Sequence, residues 1–190
     1  MGLINYTEEE IVEGCLKGSR KFQKVLYERF YGSMMAVCLR YTQDREEARD
    51  VLHEGFMKVY KNLNKYSKGT NLGAWIRRIM VNTAIDHYRK NSKRPNLIEI
   101  NHAVHEVDIQ DVVSDMSAAE ILDLVQRLSP AYRTVFNLYV IEGYAHNDIA
   151  KMLGISEGTS KSNLAKARGR LKQMIARSQI IRETGGENYA

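Results

Sequence analysis

The segment EEARDVLHEGFMKVYKNL constrains the fold more than any other stretch of the chain. Ala48, Val51, Leu52, Phe56, Val59, Tyr60 and Leu63 fall on one face of a helix, whereas a strand would scatter them over both sides of a sheet. AYRTVFNLYVIEG carries a similar pattern, with Gly143 placed to stop it. Only LIEINHAVHEVDI hints at alternation. Proline placement agrees, since Pro95 and Pro130 are the two prolines of the chain and neither interrupts a periodic segment. Pro95 ends the helix before it, and Pro130 sits at a first helical position behind the cap Ser129. An all-α chain is expected.

Charge divides that chain. Residues 1–94 hold 18 basic and 11 acidic side chains. Residues 95–118 hold no Lys or Arg and five acids, Glu99, Glu106, Asp108, Asp111 and Asp115. Residues 119–190 hold 10 basic and 7 acidic side chains. The pattern reads as two small helical domains, 1–94 and 119–177, joined by an acidic linker, 95–118. The tail, 178–190, reads as disordered. A net charge of +5 and a pI near 9.1 fit a nucleic-acid partner without requiring one.

Several classes fall away. Cys15 and Cys38 have neither metal nor redox spacing and sit among apolar neighbours, so buried reduced thiols are expected. No apolar run is long enough to span a membrane, and the acidic MGLINYTEEE is no secretory signal. MGLINY also lacks the Ser or Thr of a myristoylation site. A cytoplasmic protein is expected.

HNDIAKMLG followed by ISEGTSKSNLAKARGRLKQMI reads as a short helix, a tight turn and a longer helix. Ile149, Met152 and Leu153 form the first apolar face, and Ala150 is small enough for two helices to cross. Gly154 suits the left-handed turn, and Ser156 the cap of the second helix. Ser160, Leu164, Ala167, Leu171 and Met174 make one seam. Helix-turn-helix units lay such a helix in the major groove. Thr159, Lys161, Ser162 and Asn163 are then placed for base edges, and Lys166, Arg168 and Arg170 for phosphates. The competing reading is a solvated basic face.

NKYSKGTNLGAWIRRIMVNTAIDHYRKNSKR interleaves aromatic and basic residues. Ile76, Ile79, Met80, Val81, Thr83, Ala84, Ile85 and Tyr88 fill one wide arc of its helix. Trp75, Arg78, Asn82, Asp86 and Arg89 fill the other. Stacking planes, amides and cations together suit an unstacked base of single-stranded DNA, with Lys68 in the preceding glycine- and lysine-containing loop. Two plainer readings stay open: Trp75 completes the core, and Asp86 pairs with Arg89 or Lys90 along its own helix.

Two stretches together resemble a known family. DVLHEGFMKVYKNL with AWIRRIMVNTAIDHYRK is similar to the second region of the extracytoplasmic-function (ECF) sigma factors, and LSPAYRTVFNLYVIEGYAHNDIAKMLGISEGTSKSNLAKARGRL to their fourth. The resemblance covers about residues 20–94 and 119–177 in the family's order. It implies a subunit that binds core RNA polymerase at its clamp and flap, reads promoter DNA at the −10 and −35 elements, and opens the −10 element by capturing a flipped base. Asp50 and Glu54 match the clamp-binding helix, where His53 stands in place of the family's glutamine. Asn82, Asp86 and Arg89 match the −10 pattern N-x-x-x-D-x-x-R, and Trp75 its aromatic. Thr159, Lys161 and Ser162 match the −35 pattern T-V-K-S-R, from which Ser160 and Asn163 depart. Asn favours adenine where Arg favours guanine, so an altered −35 preference is expected.

The resemblance further implies an anti-sigma factor, a monomer when free, no cofactor, no metal and no catalysis. A free-standing helix-turn-helix regulator that binds duplex DNA as a dimer is the alternative. A third reading, a metal hydrolase, has only His102, His105 and Glu106 behind it, in an order that matches neither common zinc motif. Tyr144, His146 and Asp148 read as exposed helix surface.

Overall fold

The computed structural model describes residues 6–92 and 118–185, and the chain divides into two compact units, 1–91 and 92–190. Every regular element among the described residues is helical.

In the first unit, α1 (Glu8–Leu16) opens on a capping box. The Glu10 N–H donates to Thr7 Oγ1 at 3.2 Å, and the Thr7 N–H donates to Glu10 Oε2 at 2.8 Å. Two donors that a short helix leaves open are thereby satisfied. α1 packs on α2 (Arg20–Leu39), and Gly14 permits the approach, because a Cβ there would stand 2.1 Å from the Phe22 ring. α3 (Arg45–Asn62) starts at Asp44, whose Oδ1 accepts from the Glu47 N–H at 2.8 Å. The face expected from the sequence is its buried face: Ala48, Val51, Leu52, Phe56 and Val59 are within 2% of full burial, as is Leu63 beyond its end. Tyr60 is half-buried, and its hydroxyl donates to the Gln23 carbonyl at 2.9 Å.

A 3-10 turn (Leu63–Lys65) and a loop lead to α4 (Leu72–Ser92). Asn71 caps it, Oδ1 accepting from the Ala74 N–H at 2.8 Å. Leu72, Ile76, Met80, Val81, Ala84 and Ile85 are buried. Met80 fills a notch over Gly55, where a Cβ would stand 2.2 Å from its sulfur. That notch seats α4 on α3. Cys15 and Cys38 are buried and free, and burial pushes their thiols up to about 11 and about 12. Neither is a thiolate at neutral pH.

In the second unit, α5 (Ala118–Gln126) precedes Ser129 and α6 (Pro130–Phe136), with the proline in the first turn as expected. The helical path then widens into a π turn (Asn137–Ile141), closed by the Glu142 N–H donating to the Asn137 carbonyl at 2.9 Å. The sequence pattern read as unbroken helix here, because NLYVI carries no residue type that marks a π turn. Gly143, at φ +76°, ends it. α7 (His146–Leu153) stops at Gly154, whose φ of +69° and ψ of +37° are left-handed, and α8 (Glu157–Gly185) follows. The Thr159 N–H donates to Ser156 Oγ at 3.0 Å, so Ser156 caps α8.

Ser160, Leu164, Ala167 and Leu171 are buried along the seam of α8. Ile175, 2% exposed, continues the seam where Met174 was expected, and Met174 is half-buried. The expected tail began at residue 178, yet α8 continues to Gly185; residues 186–190 lie outside the described residues. The acidic linker, with His102, His105 and Glu106, also lies outside them. No helix among the described residues is long and apolar enough to cross a membrane.

Candidate nucleic-acid interface

α4 turns its apolar arc inward, which leaves Arg78, Asn82, Asp86 and Arg89 exposed and Trp75 half-buried. Trp75, Arg78 and Asn82 converge on an open cavity of about 270 Å³, completed by Ile79, by Asn62 from the end of α3 and by Lys65 from the 3-10 turn. Behind Trp75 stands Tyr66, ring centroids 5.7 Å apart and tilted by 59°. The Tyr66 hydroxyl donates to the Thr70 carbonyl, which folds the loop over its own turn. The indole thus stands in contact with the Tyr66 ring and lines the cavity. An aromatic face, an amide and two cations around an open cavity suit a nucleobase and its phosphates.

Three expected members of this site behave differently. Lys68 lies across the loop from the cavity, where its Nζ pairs with Glu13 Oε1 of α1 at 2.8 Å. A second cavity of about 220 Å³ opens there between α1 and the loop, lined by Thr7, Glu8, Glu9, Val12, Tyr66, Lys68, Gly69 and Thr70. Asp86 pairs not along its helix but across to α3, with Lys58 Nζ at 3.2 Å. Arg89 is exposed one turn further on.

The Lys58 ammonium is shared. It also contacts Glu54 Oε1 at 3.0 Å, so Glu54 on α3 and Asp86 on α4 hold one cation between them. Partial burial works against the Lys58 charge, but the two carboxylates outweigh it and raise its pKa above the usual 10.5. Asp50 and His53 are exposed on the same face of α3 as Glu54. Met57, one turn further along, is 69% exposed.

At the far ends of α3 and α4, Glu47 Oε1 lies 2.8 Å from His87 Nε2 and accepts from Asn91 Nδ2 at 3.1 Å. Burial raises the Glu47 pKa, but the Gln43 N–H and His87 overcome it, and the carboxyl sits below its ordinary 4.5.

In the second unit, Thr159, Lys161 and Ser162 are exposed near the start of α8 and Asn163 is half-buried. The Thr159 hydroxyl is engaged with Ser156 Oγ at 2.8 Å, and Lys161 pairs with Glu157 at 2.8 Å. Lys166 and Arg168 are half-buried, and Arg170 is exposed with Nη1 donating to Gln173 Oε1 at 3.4 Å.

Ser160 is fully buried, and its Oγ lies 2.9 Å from His146 Nδ1 at the start of α7. The imidazole stacks on Tyr139 with centroids 4.4 Å apart and planes at 20°. The Arg168 guanidinium lies 6.0 Å from the other partner in this column, the Tyr139 ring. His146 is therefore not exposed helix surface, as the sequence suggested, but the link between two helices. Burial, then Lys161, lowers its pKa below 6.5.

Against known proteins, the model of Sigma-70 region 2 matches residues 26–94, and that of Sigma-70 region 4 matches residues 118–171. The chain is 25% identical to the RNA polymerase sigma-H factor of Pseudomonas aeruginosa, over 95% of this chain and 99% of that one. It is 26% identical to the ECF RNA polymerase sigma-E factor of Haemophilus influenzae, over 89% of this chain and 95% of that one. Among solved structures it is similar to the sigma factor RpoE from Bartonella quintana, crystallised with the anti-sigma factor NepR. That match has a TM-score of 0.48 and 21% identity over 80% of this chain and 96% of the other. The chain belongs to the ECF sigma factors.

As a sigma factor it binds core RNA polymerase and promoter DNA to initiate transcription. Its first unit is region 2 and its second region 4. The sequence reading missed Asn62, Lys65 and Ile79 at the cavity, because they belong to the end of one helix, the turn after it and the inward shoulder of another. It missed Met57 too, although an apolar residue out of phase with the buried stripe of α3 was a usable signal. Lys58 carried a weaker signal, its spacing of four residues from Glu54.

Proposed function

We propose that this sigma factor meets polymerase and promoter through three surfaces. Asp50, His53 and Glu54 on α3 contact the polymerase clamp, and exposed Met57 supplies the apolar anchor beside them. The second surface is the cavity at the start of α4. A base flipped from the non-template strand stacks on Trp75 there, with Asn82 at its edge and Arg78 and Lys65 near its phosphates. Arg89 tracks the strand further along. Lys68, released from Glu13, joins this surface from the loop side.

The third surface is the start of α8, which enters the major groove of the −35 element. Thr159, Lys161, Ser162 and Asn163 face base edges there, and Lys166, Arg168 and Arg170 meet phosphates. The second unit also touches the polymerase flap. The protein has no catalytic activity of its own and works in the cytoplasm, where polymerase and template are. A restraining anti-sigma factor and a monomeric free state belong to the same reading.

The observation that carries this reading is the convergence of Trp75, Arg78 and Asn82 on one open cavity, which Asn62 at the end of α3 also lines. Transcription in vitro with bacterial core RNA polymerase on fragmented genomic DNA tests it. Defined start sites that depend on the protein are expected, lost with Trp75→Ala and kept with a surface change outside the three regions. Start sites that survive Trp75→Ala unchanged would remove the base-capture role.

A further inference from the structure

The pairing of Glu54 and Asp86 on one ammonium joins two surfaces that the function uses for different partners. Glu54 lies on α3, read above as the polymerase-facing helix, and Asp86 on α4, read as the DNA-facing one. Lys58 Nζ is 3.0 Å from one carboxylate and 3.2 Å from the other. All three side chains are between a third and half exposed, so each remains within reach of an incoming partner. The geometry between them is fixed from below. Met80 in the Gly55 notch seats α4 against α3, and the Glu47 contacts to His87 and Asn91 hold the far ends of the two helices.

We propose that Lys58 couples polymerase binding to promoter binding, one cation divided between Glu54 and Asp86 and ceded to Asp86 when Glu54 engages the polymerase. The inference rests on reading α3 as the polymerase-facing surface. One positive charge cannot neutralise two carboxylates, so each carboxylate weakens the hold of the other on Lys58. A polymerase cation that takes Glu54 removes the competitor. Lys58 then screens Asp86 fully, and the negative charge that α4 presents to a DNA strand falls. Linkage makes the effect reciprocal: DNA that draws Lys58 toward its phosphates frees Glu54 for the polymerase. A sigma factor built this way favours DNA on the polymerase over DNA in free solution.

Exposed ion pairs of this kind change affinity about two- to fivefold. Competition binding of labelled protein to bacterial core RNA polymerase, without DNA, reads the coupling through a double-mutant cycle. Asp86→Asn leaves Lys58 wholly to Glu54, so core affinity should fall about two- to fivefold. The same change in a Lys58→Met background should have no effect, and a Lys58→Gln background should repeat that result. Asp86→Asn acting equally in both backgrounds, or in neither, would overturn the coupling. Glu54→Gln separates this from the underlying reading. If it leaves core affinity untouched, α3 is not the polymerase surface, and the coupling falls with it for that distinct reason.

Discussion

The two units secure their functional side chains over different distances along the chain. In region 2 the contacts join residues far apart in sequence. Lys58 and Asp86 are separated by 28 positions, Glu47 and His87 by 40, and Lys68 and Glu13 by 55. In region 4 the hydrogen bonds at the start of α8 are local, three positions for Ser156 and Thr159 and 14 for His146 and Ser160, and the longer reach is left to the Arg168–Tyr139 contact. A helix-turn-helix builds its reading surface from one helix and the turn before it, so a short stretch contains its own supports. A surface assembled from α3, α4 and the loop between them needs the whole unit folded first.

Breaking the long-range surface should have the largest effect. Trp75→Ala removes the stacking plane of the cavity, and base–aromatic stacking is worth about 1–3 kcal/mol per base. Promoter-dependent transcription should fall tenfold or more, while affinity for core polymerase stays the same. A matching fall in thermal stability with no selective loss of promoter opening would instead return Trp75 to the core. In region 4 the change is one of preference. Asn163→Arg should move one −35 position from adenine toward guanine by about 1–3 kcal/mol, read by selection from randomised duplexes with holoenzyme. Lys166→Ala should weaken all duplexes alike and reduce the salt slope by about one.

These differences also explain what the sequence made legible. The helices followed from apolar periodicity, because Val51, Leu52, Phe56 and Val59 bury the same face that their spacing marks. The Gly154 turn and the Ser156 cap followed from local backbone chemistry. The partners of Asp86 and Lys68 did not, since a pattern within one helix says nothing about which cation a neighbouring helix brings. The plainer reading of Asp86 paired it with Arg89 or Lys90, when the cation comes from α3. Ser160 read as a departure from the family's seam residue, and its reason lay 14 residues earlier in His146. The π turn at Asn137–Ile141 was hidden for another reason, since it carries no residue type that local rules single out.

The His146–Ser160 contact allows a smaller test of local coupling. Ser160→Val adds apolar volume to the seam but leaves His146 Nδ1 without its partner. The valine should therefore be worse in the presence of His146 than in a His146→Ala background. The interaction energy in that cycle should be about 0.5–1.5 kcal/mol, the range of one hydrogen bond, read from urea unfolding of region 4. A cycle that closes to zero would make the contact incidental and leave the family's valine position unexplained.

The smallest effect separates the two units by pH. His146 has its folded pKa lowered from 6.5, mainly by burial and then by Lys161. A lowered folded pKa contributes stability that is present above the unfolded value and lost as pH falls through the folded one. Region 4 should therefore begin to weaken as pH drops below about 6.5. Glu47 in region 2 is lowered from 4.5 by the Gln43 N–H and His87 despite its partial burial, so its contribution is lost only below about 4.5. Glu13 and Glu157 are also lowered by their lysine partners, but both lie in solvent, where screening leaves their contributions small. Amide exchange measured at pH 7, 5.5 and 4 should show protection falling first in α7 and α8 and later in α3 and α4. His146→Asn should flatten the first step and Glu47→Gln the second. If both units weaken together, and neither variant changes the order, the separation of local from long-range electrostatics between them is wrong.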